Sequence, residues 1–511
     1  MNGAESVLRT LAAAGVEVCF ANPGTSEMHL VAALDRVPGV RGVLTLFEGV
    51  ASGAADGYAR MEGSPAATLL HLGPGFGNAF ANVHNAYKGR TPMVNLVGDH
   101  AVAHKPLGAP LASDIESVVR PASSWVRTTR DARTAASDTA EAVAAAWAGG
   151  VATLILPADA GWGESLGPVP PVPVPKPLAV PAEAVSAAAR ALRGRSAALL
   201  LGGVATSAHG LALAARISAA TGATLLRDTF APRLARGGSR PRPLGVPYLT
   251  EMAVDALSGF SALVLVDTRP PVGFFAYPGQ PSLLADPSTE ILTLAAPGED
   301  ALGALAALAS EVSAPAYVPG APVERVVLPS DGPLNVDNLS AVVGALLPDD
   351  AVVVDEAVTA SVLFVERTAG AGEHDYLFLT GGSIGWGMPA ATGAAVGAGG
   401  RPVVNLEADG SAMYTIQSLW TQAREGLDVT TIIIANRSYA ILEFEFSRVG
   451  ASGDGAAARE LMDIGRPELS FAGLAQSMGV PGRRVDDVRG LVGALREAFS
   501  EPGPHLIEAV V

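Results

Sequence analysis

Two polar residues each follow an apolar run in the last third of the sequence. Asp409 ends RPVVNLEAD, and Asn436 ends VTTIIIAN. Short apolar runs that alternate with helix-like stretches predict buried parallel strands, here joined by a helix over about 412–426. If the two strands are neighbours, a β-α-β connection returns the chain to the same edge and brings both side chains together.

These side chains suit a hard metal ion. A carboxylate, an amide oxygen and a loop carbonyl are oxygen donors of the kind that Mg²⁺ or Ca²⁺ prefers. Gly410 and Ser411, at the start of the predicted helix, would leave backbone N–H groups free for a phosphate. Because Mg²⁺ commonly keeps phosphate oxygens in its shell, a diphosphate is the expected companion. The spacing alone equally fits a plain strand end with Asp409 as a helix N-cap.

A third candidate, Glu48, lies in LFEGVASGAADGYAR, which we predict to be a helix of small residues. A carboxylate in such a closely packed setting needs a partner, because unpaired burial costs several kcal/mol. A carboxylate held in this way can exchange protons during catalysis.

Two proline-rich segments, 166–181 and 314–333, divide the chain, since proline excludes both helix and central strand. They predict three domains: 1–165, 182–313 and 334–511. A chain of 511 residues exceeds what one hydrophobic core supports. All three segments alternate apolar runs with helix-like stretches, which predicts α/β domains whose parallel sheets gather ligands at the carboxyl ends of their strands.

Composition excludes several classes of protein. A net charge of −16 argues against nucleic-acid binding, which depends on Lys and Arg. The single cysteine, Cys19, cannot form an intramolecular disulfide. The N-terminus lacks the pattern of a signal peptide, and no apolar run approaches the roughly 20 residues of a membrane span. We therefore expect a soluble cytoplasmic protein with no membrane partner.

Six motifs, in order along the whole chain, carry a specific resemblance: ANPGTSE (21–27), ADGYAR (55–60), HLGPGFGN (71–78), GGSIGWGMPAATG (381–393), ADGSAMYTIQSLW (408–420) and ANRSYAIL (435–442). The chain resembles the thiamine diphosphate enzymes of the pyruvate oxidase and acetolactate synthase group, which includes benzoylformate decarboxylase. The resemblance implies an aminopyrimidine-binding first domain, a Rossmann-like middle domain and a diphosphate-binding last domain.

The resemblance also implies the cofactors, thiamine diphosphate with Mg²⁺ or Ca²⁺, and the residues that hold them. Glu48 matches the carboxylate that bonds the pyrimidine ring, and Ile384 matches the bulky residue beneath the bent cofactor. Asp409, Asn436 and the carbonyl of Ser438 match the metal ligands. The implied cofactor contacts are Glu48, Thr359, Gly382, Ile384, Asp409, Gly410, Ser411, Asn436 and Ser438. In this group the cofactor lies between two chains, so we predict a homodimer or homotetramer with the cofactor at the subunit interface.

Histidines indicate which reaction the chain performs on a small 2-oxo acid. His71, which we expect at a strand end beside a glycine-rich loop, matches a catalytic histidine of benzoylformate decarboxylase, and a histidine can move protons near neutral pH. A core histidine satisfied by the backbone is the alternative. Thr25 stands where that enzyme has a serine near the substrate carboxylate. His104 falls where pyruvate decarboxylases have a His-His pair, although Lys105 replaces the second member.

Other positions depart from the group. Phe274 and Phe275 stand where the second histidine of benzoylformate decarboxylase is expected, so that end of the pocket is predicted to be apolar. Ala408 replaces the first glycine of Gly-Asp-Gly, and Ala435 replaces the first of two asparagines. The middle domain has no convincing flavin signature, and FAD is not expected.

Four functions stay open from the sequence. We favour a 2-oxo acid decarboxylase of the benzoylformate type, with carboligation as a side reaction. The second is an acetolactate-synthase-like carboligase that uses pyruvate, and the third is a flavin-dependent oxidase, which a yellow purified protein would favour. The fourth, from another class, is a catalytically silent binding or regulatory protein, against which the intact Glu48, Asp409 and Asn436 weigh.

Overall fold

A computed structural model describes residues 1–451 and 455–511. Three α/β units follow one another along the chain; the first two have parallel sheets, and the sheet of the last is parallel except for one antiparallel edge strand. Among these described residues, no helix is both long and apolar enough to span a bilayer. The predicted α/β class with three sheets is confirmed.

The first unit covers its sheet with helices on both faces. Its strands are β1 (Val18–Ala21), β2 (Arg41–Leu44), β3 (Ala66–Leu70), β4 (Met93–Asp99), β5 (Trp125–Thr128) and β6 (Val151–Pro157). Its helices are α1 (Gly3–Ala13), α2 (Met28–Leu34), α3 (Glu48–Glu62), α4 (Leu72–Gly89), α5 (Ile115–Val119), α6 (Ala135–Trp147) and α7 (Ala158–Trp162). The order is β2-β1-β3-β4-β6-β5, all parallel. The central strands are buried throughout, which explains their unbroken apolar runs.

The middle unit has a smaller parallel sheet in the order β10-β8-β7-β11-β12. Its strands are β7 (Ala197–Leu201), β8 (Thr224–Arg227), β10 (Leu244–Gly245), β11 (Ala262–Val266) and β12 (Glu290–Ala295), and β9 (Leu234–Arg236) lies between β8 and β10 in the chain. Its helices are α8 (Ala182–Leu192), α9 (Ala208–Thr221), α10 (Thr250–Ser258) and α11 (Ala301–Glu311). Strands extend to both sides of β7, as in Rossmann-like sheets.

The last unit has seven strands in the order β17-β18-β16-β15-β13-β14-β9. Its own strands are β13 (Val352–Glu356), β14 (His374–Phe378), β15 (Val403–Ala408), β16 (Val429–Ala435), β17 (Gly482–Val485) and β18 (His505–Val510). Its helices are α12 (Val336–Leu346), α13 (Ser361–Arg367), α14 (Gly387–Gly397), α15 (Asp409–Thr415), α16 (Ser418–Glu425), α17 (Ala440–Arg448), α18 (Ala456–Glu460), α19 (Phe471–Ser477) and α20 (Val488–Ser500).

The seventh strand of that sheet, β9, comes from the middle part of the chain and pairs antiparallel with β14. Arg233, just before β9, reinforces this attachment through two 2.9 Å bonds to the carboxylate of Asp375. The first and last units also touch directly, where α3 crosses α14. A side-chain carbon on Gly57 would lie 1.9 Å from the carbonyl oxygen of Ala390, so this crossing requires glycine.

Two local predictions were wrong. The helix predicted over 412–426 is divided into α15 and α16, with a break at Ile416 and Gln417. The glycine-rich loop predicted after His71 is instead the first turns of α4. Pro74 is tolerated there because the first turn of a helix needs no N–H donor, and burial against α3 outweighs the low helix propensity of glycine.

Candidate functional site

Four predicted site residues lie at the carboxyl edge of the first sheet. Thr25 follows β1, Glu48 follows β2, His71 follows β3 and His104 follows β4. These four strands are consecutive in the sheet, in the order β2-β1-β3-β4. The fold therefore gathers the four residues at one edge, although they are spread over some 80 positions of sequence.

Glu48 is the first residue of α3, and only 7% of it is exposed. Asn78, on α4, donates from Nδ2 to Glu48 Oε2 at 3.0 Å. A side-chain carbon on Gly75 would lie 3.2 Å from Oε1, so α4 comes close to the carboxylate on that side as well. Within this chain, the buried carboxylate thus has an asparagine amide as a hydrogen-bond partner.

His71 is bound by a carboxylate that we did not predict. Its Nδ1 lies 2.9 Å from Oε2 of Glu27, and Ser26 Oγ lies 3.2 Å from the same nitrogen. Glu27 is 1% exposed and also accepts the N–H of Gly24 at 2.8 Å. A hydrogen bond donated by Nδ1 to this carboxylate would leave Nε2 as the ring nitrogen that can exchange a proton. The alternative of a core histidine satisfied by the backbone does not describe this contact.

The motif ANPGTSE contained a signal for this pair, since it ends in Glu27. A side-chain carbon on Gly24 would lie 2.2 Å from the His71 ring, so the whole turn packs against the imidazole. One on Gly98, at the end of β4, would meet the carboxylate of Glu27. These glycines allow three neighbouring strand ends to close around one carboxylate and one imidazole.

The other two predicted residues of this edge are more open. Thr25 is exposed and begins the short turn that carries Ser26 and Glu27. His104 is exposed, with its ring centroid 5.2 Å from that of His100. Lys105 pairs with the buried carboxylate of Asp99 at the end of β4. His104 therefore lies on the same edge as His71, and no carboxylate among the described residues pairs with it.

The second group of predicted residues lies at the carboxyl edge of the last sheet. Asn436 follows β16, Asp409 follows β15, Thr359 follows β13, and Gly382 and Ile384 follow β14. The sheet order is β16-β15-β13-β14, so these strand ends are also consecutive. Thr359 is exposed and Ile384 is half-buried.

Asp409 and Asn436 leave neighbouring strands at nearly the same level, as predicted, because Ala408 pairs with Ile434. Asp409 is 3% exposed, and its burial raises the pKa of the carboxyl group. Its Oδ2 accepts the N–H of Arg437 at 2.6 Å, and its Oδ1 accepts the N–H of Gly410 at 2.8 Å. The Gly410 N–H predicted to be free for phosphate is therefore taken up by Asp409 itself.

Asn436 is exposed and accepts the N–H of Ser438 on Oδ1 at 2.9 Å. Ser438 is partly buried, with its hydroxyl 2.9 Å from Glu443, and Ser411 is buried beside Asp409. Within the described residues, no three His, Cys, Asp or Glu side chains cluster around a common point that could hold a metal. A site here would instead combine one carboxylate with amide and carbonyl oxygens, a donor set that fits Mg²⁺ or Ca²⁺.

The loop between β14 and α14 is fixed to the first unit. Asn85 donates from Nδ2 to the carbonyl of Ser383 at 2.8 Å, and Asn82 donates to the carbonyl of Gly385 at 3.0 Å. Gly382 has φ +73°, and a side-chain carbon there would lie 2.4 Å from the ring of Phe274. The middle unit thus places an aromatic ring directly against the loop that carries Ile384.

Phe274 belongs to an aromatic cluster with Phe230, Tyr248 and Phe275, whose ring centroids lie 5.0–6.2 Å apart. Phe274 and Phe275 are 41% and 55% exposed. The end of the site predicted to be apolar is therefore formed by open aromatic faces.

Comparison with known proteins agrees with this arrangement. Residues 1–117 match the family described as "Thiamine pyrophosphate enzyme, N-terminal TPP binding domain", and residues 363–509 match its C-terminal TPP binding domain. A Mycobacterium tuberculosis protein named "Putative acetolactate synthase large subunit IlvX" is 53% identical over all of this chain and 99% of its own length.

Benzoylformate decarboxylase of Pseudomonas aeruginosa is 28% identical over 97% of this chain and 96% of its own length. The solved structure of a thiamine diphosphate-dependent 4-hydroxybenzoylformate decarboxylase from Rhodococcus jostii RHA1 has the same fold, with a TM-score of 0.85 at 24% identity and coverage of 99% and 98% of the two chains. On the family match and the extended identity, the chain belongs to the thiamine pyrophosphate enzyme family.

Proposed function

We propose that the chain is a 2-oxo acid decarboxylase that uses thiamine diphosphate and Mg²⁺ and releases an aldehyde. The observation that supports this proposal is the 2.9 Å contact between His71 Nδ1 and Glu27 Oε2, which lies at the same sheet edge as Glu48. Release of an aldehyde requires a proton donor near the reacting carbon, and a carboxylate-held histidine is suited to that task.

The cofactor would be bound by residues at the carboxyl edges of the first and last sheets. Asp409, Asn436 and the carbonyl of Ser438 would bind Mg²⁺, whose other ligands would include diphosphate oxygens. Glu48 would bind the pyrimidine ring, and Ile384 would pack against the cofactor. Bound thiamine diphosphate supplies the electron sink that decarboxylation of a 2-oxo acid needs.

Different residues of the chain would carry out the separate proton transfers. Glu48, oriented by the amide of Asn78, would exchange a proton with the pyrimidine ring. His71, oriented by Glu27, would move a proton at the substrate through Nε2. Thr25 and Ser26, on the turn beside the imidazole, would contact the substrate carboxylate, and His104 would serve as a further acid or base.

We propose that each complete site uses two copies of the chain, as a homodimer or homotetramer. The support for this proposal is the resemblance to the thiamine diphosphate group, in which the cofactor lies between two chains.

Carboligation is the second candidate. It is favoured by the relative that shares 53% identity and by the aromatic faces of Phe274 and Phe275, which replace a proton-donating histidine with apolar surface. An apolar pocket end would shield the reacting carbon from protons and leave time for a second carbonyl to react.

The test is incubation of the protein, loaded with Mg²⁺ and thiamine diphosphate, with pyruvate, a branched 2-oxo acid and benzoylformate in separate reactions. Aldehyde as the main product supports the decarboxylase. Acetolactate or another hydroxy-ketone as the main product supports the carboligase. Consumption of none of these donors, with the cofactor bound, would contradict both.

A further inference from the structure

One buried carboxylate accepts hydrogen bonds from three consecutive backbone N–H groups. Glu356 ends β13 and is 1% exposed. Its Oε1 accepts the N–H of Gly385 at 2.8 Å, and its Oε2 accepts those of Trp386 at 2.9 Å and Gly387 at 2.5 Å. A single side chain thus holds the end of the loop that carries Ile384 and the first residue of α14.

The position of these N–H groups explains why they need an outside acceptor. The first N–H groups of a helix have no carbonyl partner within it, and those of α14 point toward β13. Residues 385–387 are buried, so their N–H groups would be unsatisfied without Glu356. A carboxylate also suits the positive end of the helix dipole.

The backbone around these bonds is fixed from other sides. Gly385 has φ +90°, and a side-chain carbon there would lie 2.5 Å from Cβ of Tyr414. One on Gly387 would lie 2.2 Å from Oε2 of Glu407 and 2.9 Å from Cβ of Glu356. Little room is therefore left for this segment to move without losing its contact with Glu356.

Trp386 is held at a second point by the first unit. Its indole Nε1 donates to Oδ2 of Asp56 at 2.6 Å, and Asp56 makes two bonds of 2.9 and 2.7 Å to Arg60. Arg60 in turn donates to the carbonyl of Phe378, the last residue of β14. The side chain of Trp386 is thus secured by α3, and its backbone by Glu356.

We propose that Glu356 is a positioning residue for catalysis. It fixes the backbone of residues 385–387 and thereby the position of the preceding side chain, Ile384, relative to the cofactor. This inference rests on the proposed function, in which Ile384 supports the bent cofactor. Glu356 would touch neither cofactor nor substrate; it would act on Ile384 through three backbone N–H groups.

The first test measures the backbone directly, in the full chain without added cofactor. Glu356→Gln keeps the size of the side chain but replaces an acceptor oxygen by an NH₂ group that faces backbone donors. Amide hydrogen exchange of peptides that cover 385–387 should be at least about 10-fold faster in this variant, and unchanged elsewhere. Glu366→Gln, an exposed carboxylate of α13, is the matched control.

The second test links the backbone to the reaction. Glu356→Gln should lower kcat about 10- to 100-fold with less than about 3-fold change in KM for the 2-oxo acid, because a displacement of about 1 Å can cost that much rate. Ile384→Ala should lower kcat similarly but leave exchange at 385–387 slow. The double variant should be no slower than Ile384→Ala alone, since the two positions act through one contact.

Outcomes separate the two proposals. A folded Glu356→Gln protein with parent-like exchange at 385–387 and parent-like kcat overturns the role of Glu356, and so do fully additive losses in the double variant. If Glu356→Gln does not fold, Glu356→Asp takes its place, because it keeps the charge but shortens the side chain. It should give values of amide exchange at 385–387 and of kcat between those of the parent and those expected for Glu356→Gln. Parent-like values of both would also overturn the role of Glu356. A parent protein that binds no thiamine diphosphate refutes the proposed function, whereas the exchange measurement still tests the backbone.

Discussion

The two edges that make up the candidate site are built differently. At the first edge, side chains hold side chains: Glu27 binds His71, and Asn78 binds Glu48. At the second edge, backbone N–H groups hold side chains, as with Asp409 and Asn436. Contacts between side chains can be removed one at a time while the fold persists. Backbone contacts depend on the path of the main chain, so that edge is a more rigid frame for a charged ligand.

The largest effect is expected from the first edge. Glu48→Gln keeps a hydrogen-bonding group beside Asn78 but removes the exchangeable proton, so kcat should fall about 100- to 10,000-fold. Steady-state aldehyde formation measures the loss. Glu62→Gln, at the exposed far end of the same helix, is the control. Retention of more than a tenth of the parent rate by Glu48→Gln would contradict the assignment.

The second edge is probed by Asp409→Asn. The amide can still accept the N–H of Arg437, so the fold should be retained, but the charged member of the proposed ligand set is lost. Loss of a residue that only hydrogen-bonds a metal ligand lowers metal affinity about 10- to 100-fold. Loss of the carboxylate ligand itself should therefore lower the apparent affinity for Mg²⁺ and thiamine diphosphate by more than about 100-fold. Calorimetric titration measures this. Asp428→Asn, exposed at the opposite end of β16, should bind as the parent does; equal affinity in both variants would remove the metal site from Asp409.

Glu27→Gln sharpens the comparison by weakening one contact between side chains. His71 remains, but its Nδ1 loses an anionic acceptor, so aldehyde release should slow by about 10- to 100-fold, less than for Glu48→Gln. The share of hydroxy-ketone among the products should rise, because protonation is the step affected. Product analysis by chromatography checks both, with Glu17→Gln at the opposite end of β1 as control. An unchanged product ratio would argue that Glu27 does not act through His71.

The smallest effect on activity is expected at the edge of the middle sheet, where no catalytic residue is proposed. Burial raises the pKa of Asp228 from 3.8 to about 6. A group that holds its proton more tightly when folded stabilises the chain below about pH 4, and this stabilisation is lost as pH rises to about 6. Asp228→Asn removes this loss and keeps an acceptor for Thr268. The increase in the free energy of unfolding caused by Asp228→Asn should be about 1–3 kcal/mol larger at pH 7 than at pH 4.

Urea unfolding at pH 4 and pH 7 measures that difference. The control is Asp255→Asn, on the exposed face of α10, which should give the same change at both pH values. A gain for Asp228→Asn that is equal at pH 4 and pH 7 would mean that the carboxyl group does not titrate in the folded chain. Activity should be unaffected, in contrast to the variants at the other two edges.

Much of the site's frame could be predicted from the sequence, because polar residues that end apolar runs mark strand ends in parallel sheets. That rule located Asp409 and Asn436 on neighbouring strands, and the motifs located Glu48 and His71. The partners Glu27 and Glu356 could not be paired in advance. Glu27 lies 44 positions from His71, and Glu356 contacts residues 29 to 31 positions away, and neither separation follows from a local period. Only the folded sheets bring them together.

Local errors had a similar origin. Glycine and proline after His71 favour a loop by propensity, yet the packing of α4 against α3 determines a helix there. The break between α15 and α16 and the three-residue strand β9 leave no clear pattern in the sequence. The metal ion, the number of copies and the boundaries 1–165, 182–313 and 334–511 stay predictions.

The strand β9 has a practical consequence for anyone who divides the protein. A fragment that starts at the second proline-rich segment would leave the outer side of β14 without its antiparallel neighbour. Bare strand edges recruit strands from other molecules, so such a fragment should aggregate. A fragment that keeps residues 228–240, spliced ahead of 334, would supply the missing strand and the two bonds from Arg233 to Asp375.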